Sequence, residues 1–289
     1  MNNSNHRSRA RQRLYPSTFA ILLAACIGFG SGVRAQENVL KVGGTGTTLA
    51  TMQLLGTAFA QANPGVSVNV LSSLGSTGGI KAVLAGAIDL GLSARPLSDD
   101  ERRQGAAALE YGRSPLVLAV PRSVSITGIT MTQLIDIYAG KMNRWPDGTP
   151  IRLLLRPETE ISTVMLKAIS PQLQTAVTAA EKRPGMLFAL TDQDATENLE
   201  RNAGSIGPAA LCQILTAGSQ LKALSLDGVV PSAAAVADGS YRYYYRFFMI
   251  TGPKRNALTD RFIAFVQSEA GKRILTDTGY WMPSGNGVR

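Results

Sequence analysis

Two hydrophobic periods alternate along the first third of the chain. "NVLKVGG" reads as a short strand that ends in glycine, Val39 to Gly44. Polar "TGTT" follows, and then Leu49, Met52, Leu55, Phe59 and Ala62 recur at helical spacing until Asn63, Pro64 and Gly65 stop them. "VSVNVL" alternates as a strand from Val66 to Leu71. It runs into the polar patch "GSTGG" (Gly75 to Gly79), which precedes a short helix marked by Ile80, Val83 and Leu84; "AIDLGLS" reads as the next strand. A strand, a polar loop and a helix, repeated, predict a parallel sheet covered by helices.

From Ser114 the pattern continues with the strand "PLVLAVP", a threonine-capped helix in "TMTQLIDIYAGK", and a second strong strand in "IRLLLRP". "SQLKALSLDG" supplies another strand, and the tyrosine-rich "YRYYYRFFMITG" leads towards the carboxyl end. The last segment, "ALTDRFIAFVQSEAGKRILTDTG", predicts one helix with Phe262, Phe265, Val266 and Ile274 on a common face. Neither repeats nor a low-complexity linker interrupt the chain, so two lobes would be joined by crossing strands. Tyr241, Tyr243, Tyr244 and Tyr245 are expected to pack near that crossing.

The amino end has a different character. Arg7, Arg9, Arg11 and Arg13 precede the apolar run "FAILLAACIGFG", and "VRA" ends at Ala35. Basic, apolar and small residues in that order predict a secretory signal over residues 1–35, whose apolar run is too short to span a membrane. A competing reading takes "LAAC" as a lipoprotein box that leaves Cys26 as a lipid anchor. Five of the 29 basic residues and none of the 20 acidic ones leave with the signal, so the remaining balance is only +4 and gives no case for nucleic acid. The sole histidine, His6, leaves as well, and Cys212 is the one cysteine beyond the signal. Histidine triads, His/Cys zinc sites and an internal disulfide are thereby excluded; no catalytic residue, metal or cofactor is expected.

Chemistry then rests on the two polar loops. "GGTGTT" and "GSTGG" each lie between a strand and a helix amino end, where unpaired N–H groups and a partial positive charge attract anions. Thr48 and Ser76 add hydroxyls. Ordinary capping threonines and turn glycines would leave the same pattern. Neither loop is G-x-x-x-x-G-K-[ST], a dinucleotide fingerprint with its distal acid, or a nucleophile elbow. Asp192, Asp194 and Glu197 are close in sequence, but they lack the spacing of a calcium loop.

"GSTGGIKAVLAGAIDLGLSARPLSDDE" resembles the phosphate-binding proteins of bacterial ABC importers, the PstS-like family of type II periplasmic binding proteins. "GGTGTT", "LIDIYAGKMNRWPDG", "GSIGPAAL" and "FIAFVQSEAGKRILTDTGYWMP" extend the likeness over nearly all of the chain beyond the signal. The resemblance implies an α/β, two-lobed type II periplasmic-binding-protein fold. Each lobe would be a mainly parallel sheet covered by helices, and two strands would cross between them. Lobe 1 would comprise residues 36–114 and 249–289, and lobe 2 residues 115–248. A non-enzymatic periplasmic monomer is implied, one that captures inorganic phosphate or a related oxyanion for an ABC permease in the inner membrane. The alternative is an exported regulatory or protein-interaction module with an altered or lost anion site.

Mapped onto the family's contacts, Thr48 and the backbone of Leu49 match the first and Ser76 the second. The family's next contact is an acid; here Ala94 stands there, followed by Arg95. Arg156 matches the family's arginine, but Glu160, Ile161 and Ser162 replace its Ser-Gly-Thr. The expected contacts are Thr48, Ser76, Arg95, Arg156 and Ser162, with Gly46, Thr47, Leu49 and Thr77 supplying loop backbone. A carboxylate ~4 Å from a bound anion opposes it by ~4 kcal/mol at an effective dielectric of ~20, so Glu160 is expected to pair with Arg95, ahead of two alternatives: that it points away, or that it is protonated and bonds the anion. Altered or weakened phosphate selectivity on a retained scaffold is the expectation.

Overall fold

The structure, a computed structural model, describes residues 38–283 except residue 217. The expected signal, with His6 and Cys26, lies outside the described residues. β1 (Val39–Gly44) passes through a single 3-10 turn (Gly46–Thr48) into α1 (Leu49–Ala62). β2 (Ser67–Val70), α2 (Gly75–Leu84), β3 (Leu90–Ser93) and α3 (Asp99–Arg103) follow. The 15-residue β4 (Ala107–Pro121) then leads to β5 (Gly128–Ile129), α4 (Met131–Ala139) and β6 (Arg152–Leu155). Next come α5 (Ile161–Ile169), α6 (Pro171–Glu181), β7 (Leu187–Phe188), α7 (Asp192–Arg201), β8 (Ser205–Ala210) and α8 (Leu211–Thr216). The chain continues through β9 (Leu221–Ala223), β10 (Ser225–Leu226) and α9 (Ala233–Ala237), and returns through β11 (Tyr244–Thr251) to α10 (Ala257–Gln267) and α11 (Glu269–Asp277).

β2, β1 and β3 are parallel neighbours, and so are β8, β6 and β7. β4 joins the two trios. Its first part pairs antiparallel with β11, which in turn lies against β3; its later part pairs antiparallel with β8 and β9. At ~3.3 Å per residue an extended run of this length reaches ~50 Å, enough to belong to both halves. The change of partner falls at Leu116, whose N–H donates to Tyr243 O at 2.8 Å and whose carbonyl accepts from the Tyr241 hydroxyl at 2.7 Å. Tyr245 stacks on Phe247 at 5.6 Å beside it. Tyr244 instead lies beneath the Arg113 guanidinium, 5.3 Å from ring to cation. No helix among the described residues is long and apolar enough to cross a membrane.

Four elements differ from the pattern reading: "PLVLAVP" is the later part of the longer β4, "SQLKALSLDG" holds the two strands β9 and β10, and α2 and the closing helix also depart from it. α2 begins at Gly75, so the glycine patch forms the helix's first turn instead of a loop ahead of it. Tertiary packing is the reason. A Cβ on Gly79 would lie 2.7 Å from Gly44 Cα and 3.0 Å from Gly43 O, so only glycine lets the helix sit this low on β1. The closing helix is two helices, broken at Ser268, whose hydroxyl accepts from Gly271 N at 3.3 Å and starts α11. Phe262 and Val266 are buried as the pattern predicts, and Phe262 meets Phe59 of α1 edge-on at 5.3 Å.

Gly79→Ala is expected to lift α2 from β1 and cost about 1–3 kcal/mol, as overpacking does. A shift of the urea unfolding midpoint at unchanged slope would show it; an unaltered midpoint would mean that the helix yields freely.

Candidate anion site

Both strand-to-helix loops of the first half open towards the second half. After β1, the Thr45 and Thr47 hydroxyls lie 3.2 Å apart, and Gly46 sits under the start of α7. A Cβ on Gly46 would be 2.7 Å from Asp192 Oδ2 and 2.9 Å from Gln193 Oε1, so a side chain there would push the halves apart. In the first turn of α2, Ser76 Oγ accepts from Ala94 N at 3.0 Å and Thr77 Oγ1 accepts from Arg95 Nη2 at 3.2 Å. Each hydroxyl thus keeps its proton to donate. The first N–H groups of a helix have no partner within it, so α2 adds donors at the same place.

Arg156 directly follows β6 in the second half and is 5% exposed. One of its terminal nitrogens donates to Thr191 O. The other donates to Asp192 Oδ1 at 3.2 Å and lies 3.9 Å from Glu160 Oε1. Asp192 Oδ2 accepts from the Thr47 hydroxyl at 3.1 Å, so one carboxylate bridges the two halves. Burial pushes the Asp192 carboxyl up; Arg156 opposes that shift, Glu160 adds to it, and the Thr47 hydroxyl and backbone oppose it. Glu160 caps α5, its Oε2 accepting from Ser162 N at 2.8 Å and from the Ser162 hydroxyl.

These groups surround a cavity of about 490 Å³ lined by Ser76, Thr77, Arg95, Arg156, Glu160 and Asp192. A cavity of about 610 Å³ adjoins the other side of the Thr47–Asp192 bridge; its wall includes Gly46, Thr47, Leu49, Gln193 and Gln213. Hydroxyl and guanidinium donors dominate one wall of the smaller cavity, and carboxylates dominate the other. Among the described residues no group of three histidine, cysteine or acidic side chains could hold a metal ion.

Residues 31–270 match the family described as the PBP superfamily domain. The chain belongs to that superfamily. Among curated proteins, this PBP-superfamily chain is similar to the phosphate-binding protein PstS of Bacillus subtilis, 23% identical over 92% of this chain and 91% of that one. A PstS of Staphylococcus saprophyticus is 25% identical over 90% of this chain and 86% of its own length. Among solved structures, a putative phosphate ABC transporter substrate-binding protein from Clostridium perfringens, with bound phosphate, superposes with a TM-score of 0.69. It is 22% identical and covers 85% of this chain and 100% of its own. The Azotobacter vinelandii periplasmic molybdate-binding protein superposes at 0.60 with 17% identity, over 85% of this chain and 100% of that one. The shared architecture is the two-lobed α/β fold expected from the sequence.

In this PBP-superfamily fold Ser76, Thr77, Arg95 and Arg156 share one cavity, while Gly46, Thr47 and Leu49 face its neighbour. Thr48 and Ser162 line neither. Thr48 Oγ1 is fully buried without a partner among the described residues, and Ser162 spends both donors on Glu160. The expected Arg95–Glu160 pair is replaced by a two-pronged Arg95–Glu101 pair at 2.7 and 2.9 Å. The physical reason is local. Ser98 and Glu101 form a capping box at α3, which fixes that carboxylate six residues from Arg95. Glu160 lies beside Arg156 instead. The sequence offered Asp192 only as a poor calcium ligand; "TDQD" shows a capped helix start, with Thr191 accepting from Asp194 N, but not where it points.

The hydrogen bond from Arg95 holds the Glu101 carboxyl at about 2, below its ordinary 4.5. A lowered carboxyl stabilises the fold above the unfolded value and loses that contribution as pH falls. Glu101→Gln should therefore cost about 1 kcal/mol at neutral pH, the upper end for a screened pair. Unfolding curves of the two proteins should converge between pH 4.5 and about 2. A cost that persists at the acid end would show that packing, not charge, is lost.

Proposed function

We propose that the chain is an exported solute-binding protein that captures phosphate or a related oxyanion between its lobes and delivers it to an ABC permease. The observation that carries this reading is the buried Arg156 guanidinium facing the hydroxyls of Ser76 and Thr77 across one cavity. A small oxyanion is the ligand such a wall suits. Its charge matches the guanidinium, and its acceptor oxygens match hydroxyl protons and helix N–H groups. The relatives named above are called phosphate-binding proteins, which favours phosphate and favours a transport receptor over a regulatory module.

Capture follows from geometry. A ligand that touches both lobes stabilises the closed arrangement more than the open one, so binding shifts the population towards closure. We take residues 36–114 and 249–289 as one lobe and residues 115–248 as the other, with the crossing near Leu116 and Tyr243 as the hinge. The periplasm is the place we assign to it, as a monomer without catalytic residues; the sequence's secretory signal supports export.

Isothermal titration with phosphate tests the reading. The native chain should bind with a dissociation constant at or below the micromolar range, about 8 kcal/mol. Arg156→Gln should weaken binding ~100-fold or more, since a buried charge contact is lost. Arg102→Gln, on the exposed last turn of α3, should leave it unchanged. Absence of heat with phosphate, arsenate, molybdate and sulfate alike would end the proposal.

A further inference from the structure

The second half arrives at the cavity with its donors already engaged by its own acids. Asp192 occupies Arg156 and reaches Thr47, while Glu160 covers the start of α5. Two carboxylates thus face one buried guanidinium, and Arg95 on the opposite wall is balanced by Glu101. Any anion that uses Arg156 therefore meets the Asp192 carboxylate within contact distance. Either the side chain swings away, or it stays and loses its charge.

The surroundings favour the second course. Asp192 is held from both sides, by Arg156 and by Thr47, and its own backbone carbonyl accepts from Gln213 Nε2 at 2.9 Å. The other ionisable groups facing it do not substitute for it as proton acceptors. The Cys212 thiol on α8 is pushed up to about 11 by burial, and the Tyr245 phenol on β11 is pushed well above its ordinary value by burial. Glu160 is engaged by Ser162, and Glu197 of α7 lies in the wall of the adjoining cavity. Burial already biases Asp192 towards protonation, and a neighbouring anion strengthens that bias.

We propose that Asp192 is a specificity-determining residue, which accepts a proton from solvent as the anion binds and then donates a hydrogen bond to it. Its proton goes onto one carboxylate oxygen and leaves again when the anion departs. Binding of a dianion is then coupled to uptake of one proton and tightens as pH falls. This step rests on the oxyanion reading proposed above.

Calorimetry in two buffers of different ionisation enthalpy counts the protons taken up. At about pH 8, where phosphate is mostly a dianion, the native chain should take up about one more proton per phosphate than Asp192→Asn. With sulfate, which stays a dianion, native affinity should rise up to ~tenfold per unit fall in pH, and that of Asp192→Asn should stay flat. At the alkaline end the variant should bind sulfate at least ~tenfold tighter than the native chain, because the opposing charge is gone. Equal proton counts in the two proteins would overturn the proposal and show that the side chain moves aside. If Asp192→Asn does not melt cooperatively, the native chain decides alone, and a sulfate affinity independent of pH would overturn it. The oxyanion reading fails differently, with no binding of either anion by either protein.

Discussion

A guanidinium that solvent scarcely reaches must be neutralised by the protein, and Arg156 is such a group. Leaving it unpaired would cost several kcal/mol, so its position just after β6 dictates what surrounds it. It receives the Thr191 carbonyl, Asp192 and, further off, Glu160. These contacts fasten the start of α7 to the end of β6. Because α7 is held there, Asp192 can reach Thr47 in the other half, and Gly46 has to be a residue without a side chain. One buried charge thereby sets the seam between the halves.

The two sides of that seam differ in what they leave free. On the first side, Ser76 and Thr77 accept hydrogen bonds from within their own half and keep their protons for a ligand. On the second side, the donors are covered by internal carboxylates. A wall of donors therefore faces a wall that already contains negative charge. In the proposed reading an anion enters such a site only with compensation, and compensation by a proton selects by charge state as well as by shape. The substitutions at Ala94 and Glu160 fit one change. The carboxylate that the PstS-like resemblance leads one to expect in the first lobe is absent, and acids from the second lobe approach the cavity instead.

Motion between the halves is confined by β4, which serves both sheets, and by the Tyr241 and Tyr243 contacts at Leu116. Backbone hydrogen bonds across that point restrain sliding and leave bending as the inexpensive movement. The polar contacts across the seam at Thr47 and Gly46 are the Thr47–Asp192 bond, the Gln193–Gly46 bond at 3.4 Å and the weak Cys212–Thr47 contact at 3.9 Å, and α8 packs beside them against α1.

The period of apolar residues determined most of the elements, because burying one face of a helix or strand is a local demand written at fixed spacing. β1, α1, α4 and β6 were legible on that ground, whereas Arg156 was singled out by the PstS-like resemblance and the second polar patch is the first turn of α2. Contacts between distant segments were not. That Gly79 draws α2 down onto β1, that Ser268 divides the last helix, and that Arg95 turns to Glu101 are decided by neighbours in space. Asp192 is the sharpest case: its sequence shows the first turn of a capped helix. Only the packing of α7 against Arg156 and the first loop turns that carboxylate into part of the site, since side-chain charge acts through distances that a sequence does not contain.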